Sequence, residues 1–150
     1  MRCVNILAGH HRRVMMIKSY SELARLRTFE DRFEYLRLGG GVGQATFGFD
    51  RYINQQFYMS QEWHEARNYV ILRDNGCDLG ILGYEIHISP LIHHMNPMTP
   101  EDIIHGEEWI LDPEYLITTT HRTHNAIHYA SVNPYPKVVT ERTPRDTKLW

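Results

Sequence analysis

Apolar and polar positions along this chain follow different rhythms in different stretches, and each rhythm predicts a different element. From Met16, MIKSYSELARLRTFEDRFEYLRLGG repeats Leu23, Leu26, Phe29, Phe33 and Leu36 at helical spacing. This predicts one amphipathic helix, with Ser19 or Ser21 as cap and Gly39–Gly41 as stop. RYINQQFYMSQEWHEARNYVILRD also reads as helix, with Ser60 as a candidate N-cap. Its buried stripe is expected from Trp63, Ala66, Tyr69, Val70 and Leu72. NGCDLG is a turn, and YEIHISPLIHHM alternates as a strand or hairpin does. TPEDIIHG predicts a short helix capped by Thr99 with Pro100 in its first position. LDPEYLITTT supplies a β-branched strand, and HRTHNAIHYA a terminal helix.

The connecting stretches carry their own signals. LGGGVGQATFGFD has no Lys-Ser/Thr pair after it and no strand before it, so it reads as a connector and not as a phosphate loop. SVNPYPKVVTERTPRDTKLW holds three prolines and no helical period, which predicts an extended arm over the core. RRVMM near the start is what a purine-rich ribosome-binding site would encode if read in frame. That predicts a translation start at Met15 or Met16, with the residues before it a leader outside the functional chain. The alternative is an N-terminal arm without fixed structure.

Composition narrows the class. The chain has 150 residues, 42% of them hydrophobic, enough for one modest core. A net charge of −2 gives no global basic field, which argues against binding nucleic acid by charge alone but leaves room for a local basic surface. Two cysteines, Cys3 and Cys77, are too few for a disulfide framework and fit a reducing cytosol. No apolar run reaches membrane-span length, and Cys3–Ala8 is too short for a signal peptide's apolar stretch.

Histidine is the outlier. Seven of the ten lie between His87 and His128. His124 and His128 stand four apart in a helical context, so both rings can project from one face and share a metal. Such a pair is common and says little alone. His93 and His94 end a strand, where neighbouring side chains point to opposite faces. One can face a metal and the other a substrate; the plainer reading is one core and one surface histidine. Together the order is strand with His-His, strand, then helix with His-x3-His. It meets the needs of metal-assisted phosphodiester hydrolysis, with three neutral imidazoles for one divalent cation and a fourth to activate water.

LIHHMNPMT and LDPEYLITTTHRTHNAIHY resemble the HNH nuclease motif, most closely the histidine-rich version in the DNase domains of colicins. FYMSQEWHEARNYVILRDNGCDLG resembles the lead-in of small phage HNH proteins, and TPRDTKLW resembles their tails. The resemblance covers roughly Phe57 to Tyr129. It implies an α+β fold: a ββα-metal (HNH, His-Me finger) core with an added N-terminal helix and an extended C-terminal arm. The chain then divides into a leader at 1–15, a helical region and glycine-rich connector at 16–56, a nuclease core at 57–130, and the arm at 131–150.

The same resemblance makes His93, His124 and His128 ligands of one divalent ion (Zn, Ni, Mg or Mn) and His94 the general base. It implies DNA as substrate, a phage-encoded protein in the cytoplasm of a bacterial host, no membrane, and a possible partnership with phage terminase. Two departures stand out. Many HNH proteins carry two Cys-x2-Cys pairs for a structural zinc, where this chain has Cys77, Gly80, Thr120 and Thr123. Cys77 is therefore expected as a small buried hydrophobe, with the N-terminal helix and C-terminal arm replacing the brace. The middle asparagine of the motif falls on Tyr115, which can tether the loop through its hydroxyl but is a poor ligand. Arg67 and Arg73 are candidate phosphate grips on the lead-in helix, and His121 and Arg122 candidates at the start of the last helix. His64, His87 and His105 have no partner at ligand spacing, and Asp102, Glu107 and Glu108 read as surface. Two other classes stay open: a non-catalytic DNA-binding or packaging accessory, and a purely structural metalloprotein.

Overall fold

A computed structural model describes residues 17–38 and 51–129. The expected leader and translation start, the glycine-rich connector at 39–50 and the C-terminal arm lie outside the described residues. The architecture is α+β, with six helices and two small antiparallel sheets among the described residues.

The first expected helix is two. Ser19 caps α1 (Tyr20–Leu23) by accepting the Glu22 N–H. Thr28 then starts α2 (Phe29–Leu36) by accepting the Asp31 N–H, a second cap hidden inside the apolar period. Asn96, just past the end of β3 described below, clamps the backbone of Lys18 with two hydrogen bonds of 2.8 and 2.9 Å. Lys18 Nζ in turn caps the last carbonyls of α2 at Leu36 and Arg37.

The second stretch also splits, into α3 (Arg51–Met59) and α4 (Gln61–Arg73), at Ser60, whose hydroxyl accepts the Trp63 N–H as expected of a cap. Trp63 and Val70 are buried, but Tyr69 and Leu72 are 57% and 77% exposed. Lying six and nine residues beyond Trp63, they fall on the far side of a helix with 3.6 residues per turn. YEIHISPLIHHM is not one hairpin. β2 (Tyr84–Glu85) pairs back to β1 (Cys77–Asp78), while β3 (Leu91–His94) pairs forward to β4 (Leu116–Thr119). Between β3 and β4 runs α5 (Pro100–His105), held by a reciprocal Thr99–Asp102 capping box and closed by Gly106 at φ 66°. Asp102 is thus a helix cap. Helix α6 (His121–Tyr129) follows β4 directly, with Thr120 Oγ1 accepting the Thr123 N–H.

Strand β4 is buried along its whole length and divides the core. Leu23, Leu36, Leu38, Met95, Ile117 and Ile127 pack on one side, and Phe57, Trp63, Val70, Ile110 and Leu116 on the other. Register carries the division across to β3. His93 lies opposite Ile117 and shares its face towards α6, whereas His94 lies opposite Leu116 and shares its face towards α4.

One edge of β4 takes β3; the other is completed largely by side chains. The Leu116 carbonyl accepts from Arg73 at 2.8 Å, and the Thr118 N–H donates to Asp74 at 2.8 Å. The Thr118 carbonyl accepts from the Leu79 N–H at 2.9 Å, and the Thr120 N–H donates to Asp78 at 2.8 Å. Asp78, 1% exposed, also accepts the Gly80 N–H at 2.8 Å. A Cβ on Gly80 would meet Thr123 Cγ2 at 2.5 Å, so the turn after β1 sits flush on the first turn of α6. The Thr120 and Thr123 hydroxyls bond each other at 3.1 Å. The three matched positions that lack a cysteine, Gly80, Thr120 and Thr123, are therefore joined by a carboxylate, two hydroxyls and a close backbone contact. Cys77 itself is half-buried, its Sγ 3.6 Å from the Asn75 carbonyl, and not the buried hydrophobe expected.

Replacing Asp78 with alanine strands two buried N–H groups, those of Gly80 and Thr120. The expected loss is about 3 kcal/mol of unfolding free energy, with Asp78→Asn losing less because one acceptor oxygen remains. Chemical denaturation measures both, and a loss under about 1 kcal/mol for the alanine variant contradicts this account of the edge.

Candidate metal centre

Three of the histidines singled out by spacing meet in space. His93 leaves the end of β3 towards α6, and His124 and His128 rise from consecutive turns of α6 to face it. The ring centroids of His93 lie 5.2 Å from those of both His124 and His128, nearly perpendicular to each, and the two helical rings are 4.3 Å apart. One ligand nitrogen from each of the three lies within 4.8 Å of the others, close enough to hold one metal ion.

The electronic state of the cluster suits that task. His93 is 2% exposed, and among the described residues its buried Nε2 has no hydrogen-bond partner, an unsatisfied polar atom on a ring that faces His124 and His128. Burial pushes its pKa well below the ordinary 6.5, and positive charge on His124, His128, His94 or Lys18 would push it further. Burial pushes His124 down to about 4, with His128 acting in the same direction and the Asn125 hydrogen bond opposing. Both rings are neutral at pH 7 and offer lone pairs. A three-imidazole set with no carboxylate suits Zn²⁺ and Ni²⁺ better than Mg²⁺, which prefers oxygen.

His94 turns to the other side of β3. Its ring stacks on Trp63 with centroids 5.3 Å apart and planes 14° apart, and Phe57 lies 6.2 Å away. His94 Nε2 lies 2.9 Å from the Ile110 carbonyl. A carbonyl only accepts, so Nε2 carries the proton and Nδ1 keeps the lone pair. Burial holds the His94 pKa down at about 4, against the opposing pull of that carbonyl. The sequence leads one to expect His94 open to solvent; it is half-buried, because α3 and α4 bring their aromatic residues over it.

The remaining candidates separate. The Tyr115 ring meets Trp109 edge-on at 6.4 Å, and its carbonyl accepts the Met95 N–H, so the tether to β3 runs through the main chain. Arg73 is not placed to grip phosphate. All three of its guanidinium nitrogens are engaged, with Asp74, the Pro113 carbonyl and the Leu116 carbonyl, and its guanidinium lies 3.7 Å over the Tyr20 ring. Arg67 is half-buried and donates to the Pro90 carbonyl at 3.3 Å. His121 and Arg122 are exposed in the first turn of α6, and His64, His87 and His105 are exposed elsewhere. Sequence reasoning missed Asp74 and Asp78, whose only signal is two acidic residues in the turn RDNGCD, and missed the Ile110 carbonyl entirely. It found Trp63, but only as a core residue.

No protein-family model, curated protein or solved structure matches this chain. Among the described residues no helix is long and apolar enough to cross a membrane.

These pKa directions fix a pH dependence for the metal-free protein. His94 and His124 fall to about 4 in the fold from an ordinary 6.5, so between those values the unfolded chain binds more protons. Their contribution is fully present above 6.5 and is lost as pH falls towards 4. In EDTA, the melting temperature is expected to drop steadily from pH 7 to pH 4.5. A flat profile across that window contradicts the burial of these rings.

Proposed function

We propose that this protein is a metal-dependent DNA endonuclease of the ββα-metal type, in which His93, His124 and His128 hold one divalent ion and His94 is the general base. The observation that carries the reading is the convergence of three imidazoles, two of them held neutral by burial, beside a fourth whose tautomer a backbone carbonyl fixes. Two antiparallel strands followed directly by a helix, with ligands on the first strand and the helix, fit the ββα-metal arrangement. DNA as substrate, a phage origin and work beside a terminase rest on the motif resemblance alone.

A divalent ion bound by the triad supplies positive charge to a phosphate oxygen and to the leaving 3′-oxygen. His93 and His124 enter neutral, so binding an ion near pH 7 displaces no proton from either. His94, one residue along the strand from a ligand, keeps Nδ1 free to take a proton from water. The water oxygen bonds to phosphorus, the P–O3′ bond breaks, and the 3′-oxygen departs with the electron pair. As His94 gains its proton, the Ile110 carbonyl stabilises the imidazolium from the other nitrogen.

Two experiments test the two halves of this reading. Zn²⁺ or Ni²⁺ at a hundred times its dissociation constant is expected to add about 2.7 kcal/mol of stability at one ion per chain. His128→Ala should abolish that gain; an equal gain in the variant removes His128 from the site. Separately, the metal-loaded protein should nick supercoiled plasmid, EDTA should stop it, and His94→Ala should slow it by about a hundredfold or more with metal affinity unchanged. Nicking by His94→Ala at the wild-type rate would falsify the base assignment.

Tyr115 favours a second reading, a DNA-binding accessory with the same fold and weakened chemistry, because the resemblance calls for asparagine there. Under that reading the protein binds metal and DNA, and no metal-dependent nick appears.

A further inference from the structure

A single hydrogen bond does not orient an imidazole. The contact from His94 Nε2 to the Ile110 carbonyl fixes one atom of the ring and leaves the plane free to swing about it. Something must hold the plane if Nδ1 is to point in one direction. Trp63 is the group in position to do so, because its indole lies nearly parallel to the His94 ring, at 14° and 5.3 Å. The stack and the in-plane hydrogen bond together remove both side-chain torsions of His94.

Trp63 is itself fixed on several sides. Its backbone N–H is taken by the Ser60 hydroxyl at 3.2 Å, which sets the first turn of α4. Phe57 leans on it at 5.3 Å and Tyr58 meets it edge-on at 5.0 Å, both from the end of α3. It is 6% exposed, so the indole has little room to move. Ile110 belongs to the same apolar cluster as Trp63, so the carbonyl that fixes the tautomer and the ring that fixes the plane sit on one packed unit. The metal triad lies across β3, on the side of α6.

We infer that Trp63 is a positioning residue for His94: its indole face holds the imidazole plane so that Nδ1 is presented to the attacking water. This rests on His94 being the base proposed above. The requirement is a flat aromatic face, not apolar volume, and that separates it from ordinary core packing.

Trp63→Phe keeps a face and Trp63→Leu keeps only bulk. Both are assayed well below their melting temperatures, with the fold checked by circular dichroism and with Zn²⁺ affinity measured. Because misplacement of a catalytic group by about an ångström can cost a hundredfold, the leucine variant is expected to lose about tenfold or more in kcat for plasmid nicking. Its KM and Zn²⁺ affinity should stay near wild type, and the phenylalanine variant should stay within about threefold in kcat. A second readout needs no activity: NMR relaxation of the His94 ring carbons should show one fixed ring orientation in wild type and Trp63→Phe, and a mobile ring in Trp63→Leu. Equal kcat and equal His94 ring mobility in the two variants overturn the inference, as does a leucine defect confined to Zn²⁺ affinity. A wild-type protein that does not nick removes the base role of His94, and the ring relaxation then decides by itself whether Trp63 fixes the ring.

Discussion

The fold depends on how the outer edge of β4 is closed. A fully buried strand with a bare edge would strand its N–H and C=O groups away from water, which a small domain cannot sustain. Among the described residues no full strand covers that edge. Asp74 and Asp78 accept its N–H groups, Arg73 and the Leu79 N–H donate to its carbonyls, and Asp78 reaches the cap of α6. Each buried carboxylate is satisfied by several donors, the condition under which buried charge is tolerable. Because the same Asp78 holds both the turn after β1 and the start of α6, the closure of the strand also sets where α6 begins. His124 and His128 inherit their positions from it.

From that edge the strand alternation does the rest. Residues 93 and 94 are consecutive, so they cannot share a face of β3, and each is carried into a different half of the core. His93 enters an apolar region whose remaining space is filled by two more imidazoles; His94 enters an aromatic wall. Burial lowers the proton affinity of both. The geometry of the His93–His124–His128 cluster and that of His94 therefore answer to different neighbours, Asp78 and Thr123 on one side, Trp63 and Ile110 on the other.

What the sequence disclosed follows from how local each signal is. His-x3-His on a helix and His-His at a strand end are short-range patterns, and the caps at Ser19, Ser60 and Thr99 are set by residues three apart, so all were legible. The break between α1 and α2 was masked because Leu23, Leu26 and Phe29 keep helical spacing across it while Thr28 caps a new helix. Arg73 read as a candidate phosphate grip because its acceptors, the carbonyls of Pro113 and Leu116, lie far along the chain. Backbone acceptors such as the Ile110 carbonyl have no residue signature at all. The half-burial of His94 was hidden for the same reason: it comes from residues on α3 and α4, brought over the strand only by tertiary packing.

Position 115, where the resemblance implies asparagine, shows how a loop can be held without a side-chain amide. The role implied for the expected asparagine is to orient the loop between the two strands. In this chain that loop is held by its own turns: Ile110 N–H to Glu107, Leu111 N–H to Glu108, Asp112 N–H to Trp109 and Tyr115 N–H to Asp112. The Asp112 side chain also accepts the Glu114 N–H, and the Tyr115 carbonyl fastens the loop's far end to Met95 beside the histidine pair. The Trp109–Tyr115 ring contact spans two 3-10 turns, Glu108–Ile110 and Pro113–Tyr115. The carbonyl of Ile110 therefore reaches His94 from a loop braced by main-chain hydrogen bonds and one aromatic pair. A side-chain amide at position 115 would add to that brace, and the brace stands without it.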